Sequence, residues 1–517
     1  MKTYLFLLFS LLFSAQAFTQ EAYFCKKELG TLPILQSGRI KPLYVHASEA
    51  IKSLTGKTTV DNLSAVEAYC LLSLNGMGLP TTINLKAKIE HVEAIKFFGL
   101  ADGEHFIEFE KLIAREEEIQ SEARSGKGDD SYKKAISKHL DALFLYKDIK
   151  NGNNWLLADV QGTSLNWLPL TAYLTEEKVV AQKALTPLDP FMPVLFKSKE
   201  AYDKAFKDKY MIEYYYAKAG LPTVSMLLSI LALACLVLFK NIKISLTFTG
   251  LSIVTQLVLI TLRIIISGRA PITNMYETVL FSGTGSLLLG VVLGHFKQEK
   301  LYVYMGLAYN VCTMMMINFA NGMLTATISP LVPVLRDNFW LSTHVTTIIL
   351  SYGALALSWV LANTVLIKKK FGKIELKEEL ISAEIIYTTL KWGTVLLAAG
   401  IILGGVWADY SWGRFWGWDP KETWSLIVLC FYMAILHGRY TSWIRTDRFM
   451  TFTAGAFMSV MMAWFGVNYI LASGLHSYGF SQGGALFLGS FFAIQILILI
   501  LTLNKRVESK ETSAEHT

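Results

Sequence analysis

The stretch W-A-D-Y-S-W-G-R-F-W-G-W-D-P-K-E-T-W, residues Trp407–Trp424, decides how the rest of the chain is read. Trp407, Trp412, Trp416, Trp418 and Trp424 put five indoles into this short segment, and Gly413 and Gly417 let the backbone bend and approach a flat partner closely. Near its end Asp419 stands where an N-cap belongs, Pro420 suits the first helical position because it needs no N–H partner, and Glu422 lies three residues after the cap. This pattern predicts a helix starting at Pro420. The residues that follow, Thr423 to Leu436, are mostly apolar, so the aromatic loop is expected at a membrane surface, over the mouth of a spanning helix. Tryptophans also serve as interfacial anchors, but a belt of anchors draws single indoles from several helices at one depth, not several from one glycine-hinged loop.

Composition fits that setting. The chain has 517 residues, 53% of them hydrophobic, and a mean hydropathy of +0.39, with the apolar residues concentrated in the second half. These values indicate an integral membrane protein. A net charge of +7 raises the question of nucleic acid, but much of the excess sits in short loops beside apolar stretches. Membrane orientation explains it better, and no nucleic-acid partner is expected.

Nine apolar stretches are long enough to cross a bilayer: Pro222–Phe239, Ile244–Ile266, Tyr276–Gly294, Leu301–Ala320, His344–Ile367, Leu390–Trp407, Thr423–Tyr440, Phe452–Leu471 and Ala485–Leu503. Lys240 and Lys243, Lys297 and Lys300, Lys368–Lys370, Arg439, Arg445 and Arg448, and Lys505 and Arg506 all fall on one side, which the positive-inside rule makes cytoplasmic. Outside then lie Ser267–Met275, Asn321–Thr343, Ala408–Glu422 and Ala472–Gly484. The expected class is an all-α polytopic membrane protein of about nine transmembrane helices, preceded by a mainly helical extracytoplasmic domain.

At the N terminus, M-K-T, an apolar run from Tyr4 to Phe13 and S-A-Q-A ending at Ala17 read as a signal peptide over residues 1–17. Residues 18–220 have the composition of a soluble domain, and Ser131–Lys150 and Ala201–Lys218 each read as an amphipathic helix. Residues 221–505 form the membrane domain, with the aromatic loop at 407–424, and 506–517 a cytoplasmic tail. T-G-K-T at Thr55–Thr58 matches the end of a phosphate-binding loop, but Ile51 replaces the earlier glycine that such a loop needs. Five cysteines include no C-x-x-C and no C-x-x-C-H, which excludes covalent haem at the usual motif and a thioredoxin-like dithiol. Cys25 and Cys70 lie where export allows a disulfide, and the sequence leaves open whether they meet.

The segment W-G-R-F-W-G-W-D-P-K-E-T-W resembles the tryptophan-rich WWD signature of the haem-handling proteins of cytochrome c biogenesis. Within that superfamily the chain is most similar to the CcsA/ResC component of system II. The resemblance rests also on G-R-A-P-I-T-N-M-Y-E-T at Gly268–Thr278, W-L-S-T-H-V around His344 with S-Y-G at Ser351–Gly353, L-H-G-R at Leu436–Arg439 and L-H-S-Y-G-F at Leu475–Phe480, and covers most of Pro222–Leu503. It implies a protein of the bacterial inner membrane that binds haem b, displays it on the outer face and helps attach it to the C-x-x-C-H thiols of apocytochrome c, as part of a holocytochrome c synthase (cytochrome c haem lyase) complex.

By the same resemblance His344 and His476 are the axial ligands of the haem iron, and two neutral imidazoles across a porphyrin suit that role. Trp412, Trp416, Trp418, Trp424 and Asp419 belong to the haem-facing loop. Arg414 is suited to a propionate, as are Arg263, Arg269 and Arg336, with Glu277 and Asp409 as countercharges. The resemblance gives His437 a place in holding haem within the membrane, opposite a histidine of a CcsB/ResB-like partner. Membrane lipid, haem and apocytochrome c complete the expected partners. Three alternatives differ in what they predict. System I-type delivery to a haem chaperone would lack the four motifs just quoted. A non-haem secondary transporter would show internal repeats and midplane charges. A purely structural subunit would tolerate loss of both histidines.

Overall fold

The computed structural model describes residues 25–77, 83–101, 103–126, 128, 130–161, 164–173, 191–320, 322–331, 337–372, 374–471 and 484–503. The proposed signal peptide, His476 and Arg336 fall outside them. The chain divides into two units, Met1–Lys218 and Ala219–Thr517.

In the first unit helices carry most of the described residues, but eight short strands, β1 (Pro33–Gln36), β2 (Arg39–Pro42), β3 (Thr59–Val60), β4 (Leu63–Ser64), β5 (Lys86–Lys88), β6 (Phe106–Glu108), β7 (Leu157–Gln161) and β8 (Ser164–Leu168), are an addition to the expected helical domain. An antiparallel sheet of order β2-β1-β7-β8 is the largest. Ser37 and Gly38 close the β1–β2 hairpin with φ of 52° and 74°, the left-handed pair that a two-residue turn requires. Against the sheet and the helices Leu43–Thr55, Ala65–Gly76 and Asp130–Lys150 grows one apolar core around Tyr69, Phe109 and Trp155. Its polar seam is satisfied internally: Trp155 Nε1 donates to Ser73 Oγ (3.0 Å), which donates to the Ile149 carbonyl (2.7 Å). Cys25 and Cys70 are joined by a disulfide in this core.

Two sequence expectations for this unit are revised. The helix expected over Ala201–Lys218 is two helices, Phe191–Phe206 and Met211–Lys218, broken at Lys207, whose φ is 64°. The G-K-T triplet follows a helix instead of preceding one, with Gly56 as the left-handed C-cap of Leu43–Thr55, so the geometry of a phosphate loop is not formed.

Among the described residues of the second unit there are nine long helices: α1 (Leu221–Val237), α2 (Ile242–Ser267), α3 (Met275–Lys297), α4 (Lys300–Phe319), α5 (Asn338–Phe371), α6 (Leu376–Trp412), α7 (Pro420–Tyr440), α8 (Thr446–Leu471) and α9 (Gly484–Leu503). Among the described residues seven helical stretches are long and apolar enough to cross a bilayer, and with them the protein is an all-α polytopic membrane protein. The two that fall short, α4 and α7, are long enough but less apolar; in α4 the cause is Tyr302, Tyr309 and Asn310, which are buried inside the bundle. Helix α6 begins 14 residues before the expected Leu390. Its polar start is amphipathic, and Glu378 and Glu379 pair with Lys368 and Lys369 at the end of α5.

Polar side chains inside the bundle bond to one another. Gln256 Oε1 accepts from Asn310 Nδ2 (3.0 Å) and Thr284 Oγ1 (2.7 Å), while its Nε2 donates to Ser252 Oγ (2.9 Å) and Asn310 Oδ1 (3.1 Å). In a setting without water such closed sets tie helices together.

Candidate functional site

The aromatic loop is shaped by its acidic residues. Asp419 caps α7 by accepting from Glu422 N (2.9 Å), and Glu422 reaches back to Asp419 N (3.3 Å), forming the capping box read from the sequence with Pro420 in the first turn. The same Glu422 carboxylate accepts from Gly417 N (2.7 Å) and pairs with Arg414 Nη1 (3.5 Å). Glu422 therefore holds both the helix start and the loop before it. A Cβ on Gly417 would fall 1.2 Å from Arg414 Nη1, so a side chain there would displace the Arg414 guanidinium from its place beside Glu422. Arg414 lies over Trp412 (5.9 Å), and Trp416 meets Trp418 edge to face at 5.9 Å.

His344 reaches the loop from α5. Asp337 caps the start of that helix through Phe339 N and Trp340 N, and Leu341–Val345 then widens into a π turn that carries the histidine. Such turns recur at functional sites. The imidazole Nδ1 lies 2.8 Å from the Gly400 carbonyl of α6. A carbonyl only accepts, so the proton is on Nδ1 and the lone pair on Nε2. The ring stands where Gly404 has no side chain, since a Cβ there would come within 2.5 Å of His344 Cε1. Trp407 meets the ring edge to face at 5.8 Å and belongs to a small core with Ile272 and Leu341.

These parts converge. His344, Ile348 and Tyr352 of α5, Gly404 and Gly405 of α6, Phe415 and Trp416 of the loop, and Lys421 and Glu422 of α7 line one cleft that encloses about 80 Å³ and is open on one side. Its walls are largely apolar, with a lone-pair nitrogen, an ammonium and an indole among them.

Of the residues singled out by sequence, His344 and Trp416 line this cavity. Arg414, Trp412, Trp418 and Asp419 build the loop around it, and Trp424 lies in the first turns of α7 without lining it. Exposed His437 sits near the other end of α7, about 27 Å from Asp419 at 1.5 Å per residue, and belongs to a separate locus. Its Nδ1 also donates to a carbonyl, that of Met433 (2.8 Å), leaving the lone pair on Nε2. Lys421, Phe415 and the glycines of α6 were missed, because nothing in their spacing marks them as cavity-lining.

Arg263 does not reach the cavity. It is fully buried in a pair with Glu277, donating from Nε (3.0 Å) and Nη2 (2.5 Å), and Nη1 donates to the Ala326 carbonyl (3.0 Å). Glu277 also accepts from Thr273 N and Oγ1 (2.8 Å each), while Asn274 caps α3. The segment Gly268–Thr278 is thus a structural knot that braces the turn carrying His344 through Ile272 and Leu341.

Comparison with known proteins now places this architecture. Residues 272–476 match the family model described as cytochrome C assembly protein, a stretch that starts in the knot and ends at His476. A cytochrome c biogenesis protein CcsA from Guillardia theta is 33% identical over 286 residues, which is 50% of this chain and 93% of that protein. The chain belongs to the cytochrome c assembly protein family. Another CcsA, from Chlamydomonas reinhardtii, is 34% identical over 47% of the chain and 70% of its own length. Protein NrfI of Wolinella succinogenes is 38% identical over 44% of the chain, which spans a quarter of that protein. All of the cavity-lining residues of this cytochrome c assembly protein fall inside the matched stretch. Among the described residues no three metal-ligating side chains come together.

Proposed function

We propose that the protein takes part in system II cytochrome c maturation by holding haem b at the cavity between α5, α6 and the tryptophan loop, with His344 Nε2 as one axial ligand and His476 as the other. The observation that carries this reading is His344 itself: an imidazole with its proton fixed on Nδ1 by Gly400, in the same cavity as Trp416 and Phe415. Ligating histidines characteristically donate their second nitrogen to a carbonyl in this way. The tryptophan loop offers aromatic surface to the porphyrin, Glu422 keeps that surface in shape, and the remaining walls are largely apolar.

Bound haem supplies two vinyl groups, across each of which a C-x-x-C-H thiol of apocytochrome c adds its sulfur and proton. The chain's contribution is ligation and positioning. His437, exposed near the far end of α7, suits haem held within the membrane on its way outward, with a second ligand from a CcsB/ResB-like partner in a holocytochrome c synthase complex. The membrane is the bacterial inner membrane, with the loop and the N-terminal unit outside and the C terminus in the cytoplasm. The Cys25–Cys70 disulfide supports that orientation, because such bonds persist in oxidising compartments.

Absorption spectra of the detergent-purified protein, of His344→Ala and of His476→Ala test the assignment. Six-coordinate haem in the parent that is lost or changes ligation in both variants is the expected result. Identical spectra in all three would remove these residues as ligands.

A further inference from the structure

Four charged side chains belong to the loop and the first turn of α7, and three of them are engaged with one another. Glu422 holds Gly417 N, Asp419 N and Arg414, and Asp419 holds Glu422 N. Lys421 differs. It is half-buried, it lines the cavity with His344 and Trp416, and among the described residues its ammonium has no hydrogen-bond or ion-pair partner. A second donor lies in the same wall: Trp416 Nε1 is buried, and no acceptor among the described residues meets it. Two donors without acceptors in a largely apolar cavity suit a ligand that brings anionic oxygen.

We propose that Lys421 recognises a carboxylate of the ligand, with the Trp416 indole N–H as second donor. Resting on the haem reading above, that carboxylate is one haem propionate, so the porphyrin lies with its acidic edge toward the start of α7 and its iron toward His344. This reassigns the propionate contact. Arg263 is committed to Glu277 and Arg414 to Glu422 and the face of Trp412, whereas the Lys421 cation has a carboxylate to gain. It is a specificity-determining residue that orients the ligand, and no bond is made or broken at it.

The test compares haemin with haemin dimethyl ester, whose propionates are uncharged, by titrating the full-length protein in detergent and following the absorption spectrum. The parent is expected to bind haemin roughly tenfold or more tightly than the ester, the scale of one charge-assisted hydrogen bond. Lys421→Gln should lose that preference while keeping the parent's axial-ligand spectrum, and Lys421→Arg should keep both. Trp416→Phe, which removes only the indole N–H and some ring area, should reduce the preference without abolishing it. If Lys421→Gln keeps the full preference, or the parent binds both compounds equally, Lys421 is not the carboxylate partner, although haem binding stands. If the parent binds neither compound, the haem reading itself falls. Should Lys421→Gln not fold, the Lys421→Arg and Trp416→Phe titrations decide, and an unchanged preference in Trp416→Phe together with its loss in Lys421→Arg would overturn the pairing.

Discussion

His344 donates its Nδ1 proton to the carbonyl of Gly400 at 2.8 Å, and one turn further along α6 the bare Cα of Gly404 leaves the space in which the ring stands. A side chain at 404 would push the imidazole off that carbonyl. Gly404→Ala is expected to cost about 1–3 kcal/mol of stability through overpacking and to lower haem retention with a shifted Soret band. Haem content per purified protein and thermal unfolding are the measurements.

Glu422 bonds to two backbone amides and Arg414, so its loss acts on the loop and the helix start together. Glu422→Ala should destabilise by about 1–2 kcal/mol, the worth of a cap plus a stranded donor, and loosen Trp416. Protease nicking near residue 417 and a fall in haem content, with Glu422→Gln in between, would bear this out.

The buried pair of Arg263 and Glu277 predicts a structural phenotype, not a ligand-binding one. Arg263→Ala leaves a buried carboxylate without its cation and is expected to cost about 3–5 kcal/mol. Low yield of folded protein is the expected outcome. A well-folded Arg263→Ala protein with weakened haem binding would return this arginine to the list of propionate contacts.

In the N-terminal unit the disulfide between Cys25 and Cys70 closes a loop with a sequence separation of 45 residues. Cys70→Ser should lower the unfolding free energy of that unit by about 2–4 kcal/mol. Denaturant titration followed by Trp155 fluorescence reports it, because that indole is fully buried in the same core.

Acid sensitivity should also arise in this unit. His46 is buried against Tyr69, 2.9 Å from its hydroxyl, and desolvation pushes its pKa down from 6.5 to about 3, with Lys41 adding to the effect; burial lowers His139 to about 4. The unfolded chain binds these protons more readily than the folded one. The resulting stability is complete above pH 6.5 and is lost as pH falls from there toward 3, by at most about 1.4 kcal/mol per pH unit for each histidine. His46→Gln should flatten the fall in melting temperature between pH 6.5 and 4.

The membrane half was legible because its signals are strong and local. The apolar stretches lie in long helices, seven of which among the described residues are apolar enough to cross a bilayer, and the Asp419-Pro420-Glu422 pattern became a cap with the geometry its residues imply. The strands of the N-terminal unit were not legible. They are two to five residues long, and their pairing brings β1 beside β7 across more than a hundred residues, a contact that no local period announces. Lys421 was invisible for a related reason: a lysine beside an aspartate and a glutamate looks solvated until folding shows that both acids are bound elsewhere. Arg263 likewise looked like an interfacial cation until Glu277, 14 residues away, proved to be its partner.

The π turn at Leu341–Val345 holds one residue more than an ordinary helical coil would place there. Removing a single residue, Ser342 for instance, would let the coil close as an ordinary turn with the helix on either side keeping its phase, and the backbone that carries His344 would draw in toward the axis. The aim of the imidazole is therefore governed by a local surplus of chain, and its direction can be reset by length alone, with no change of chemistry at the histidine.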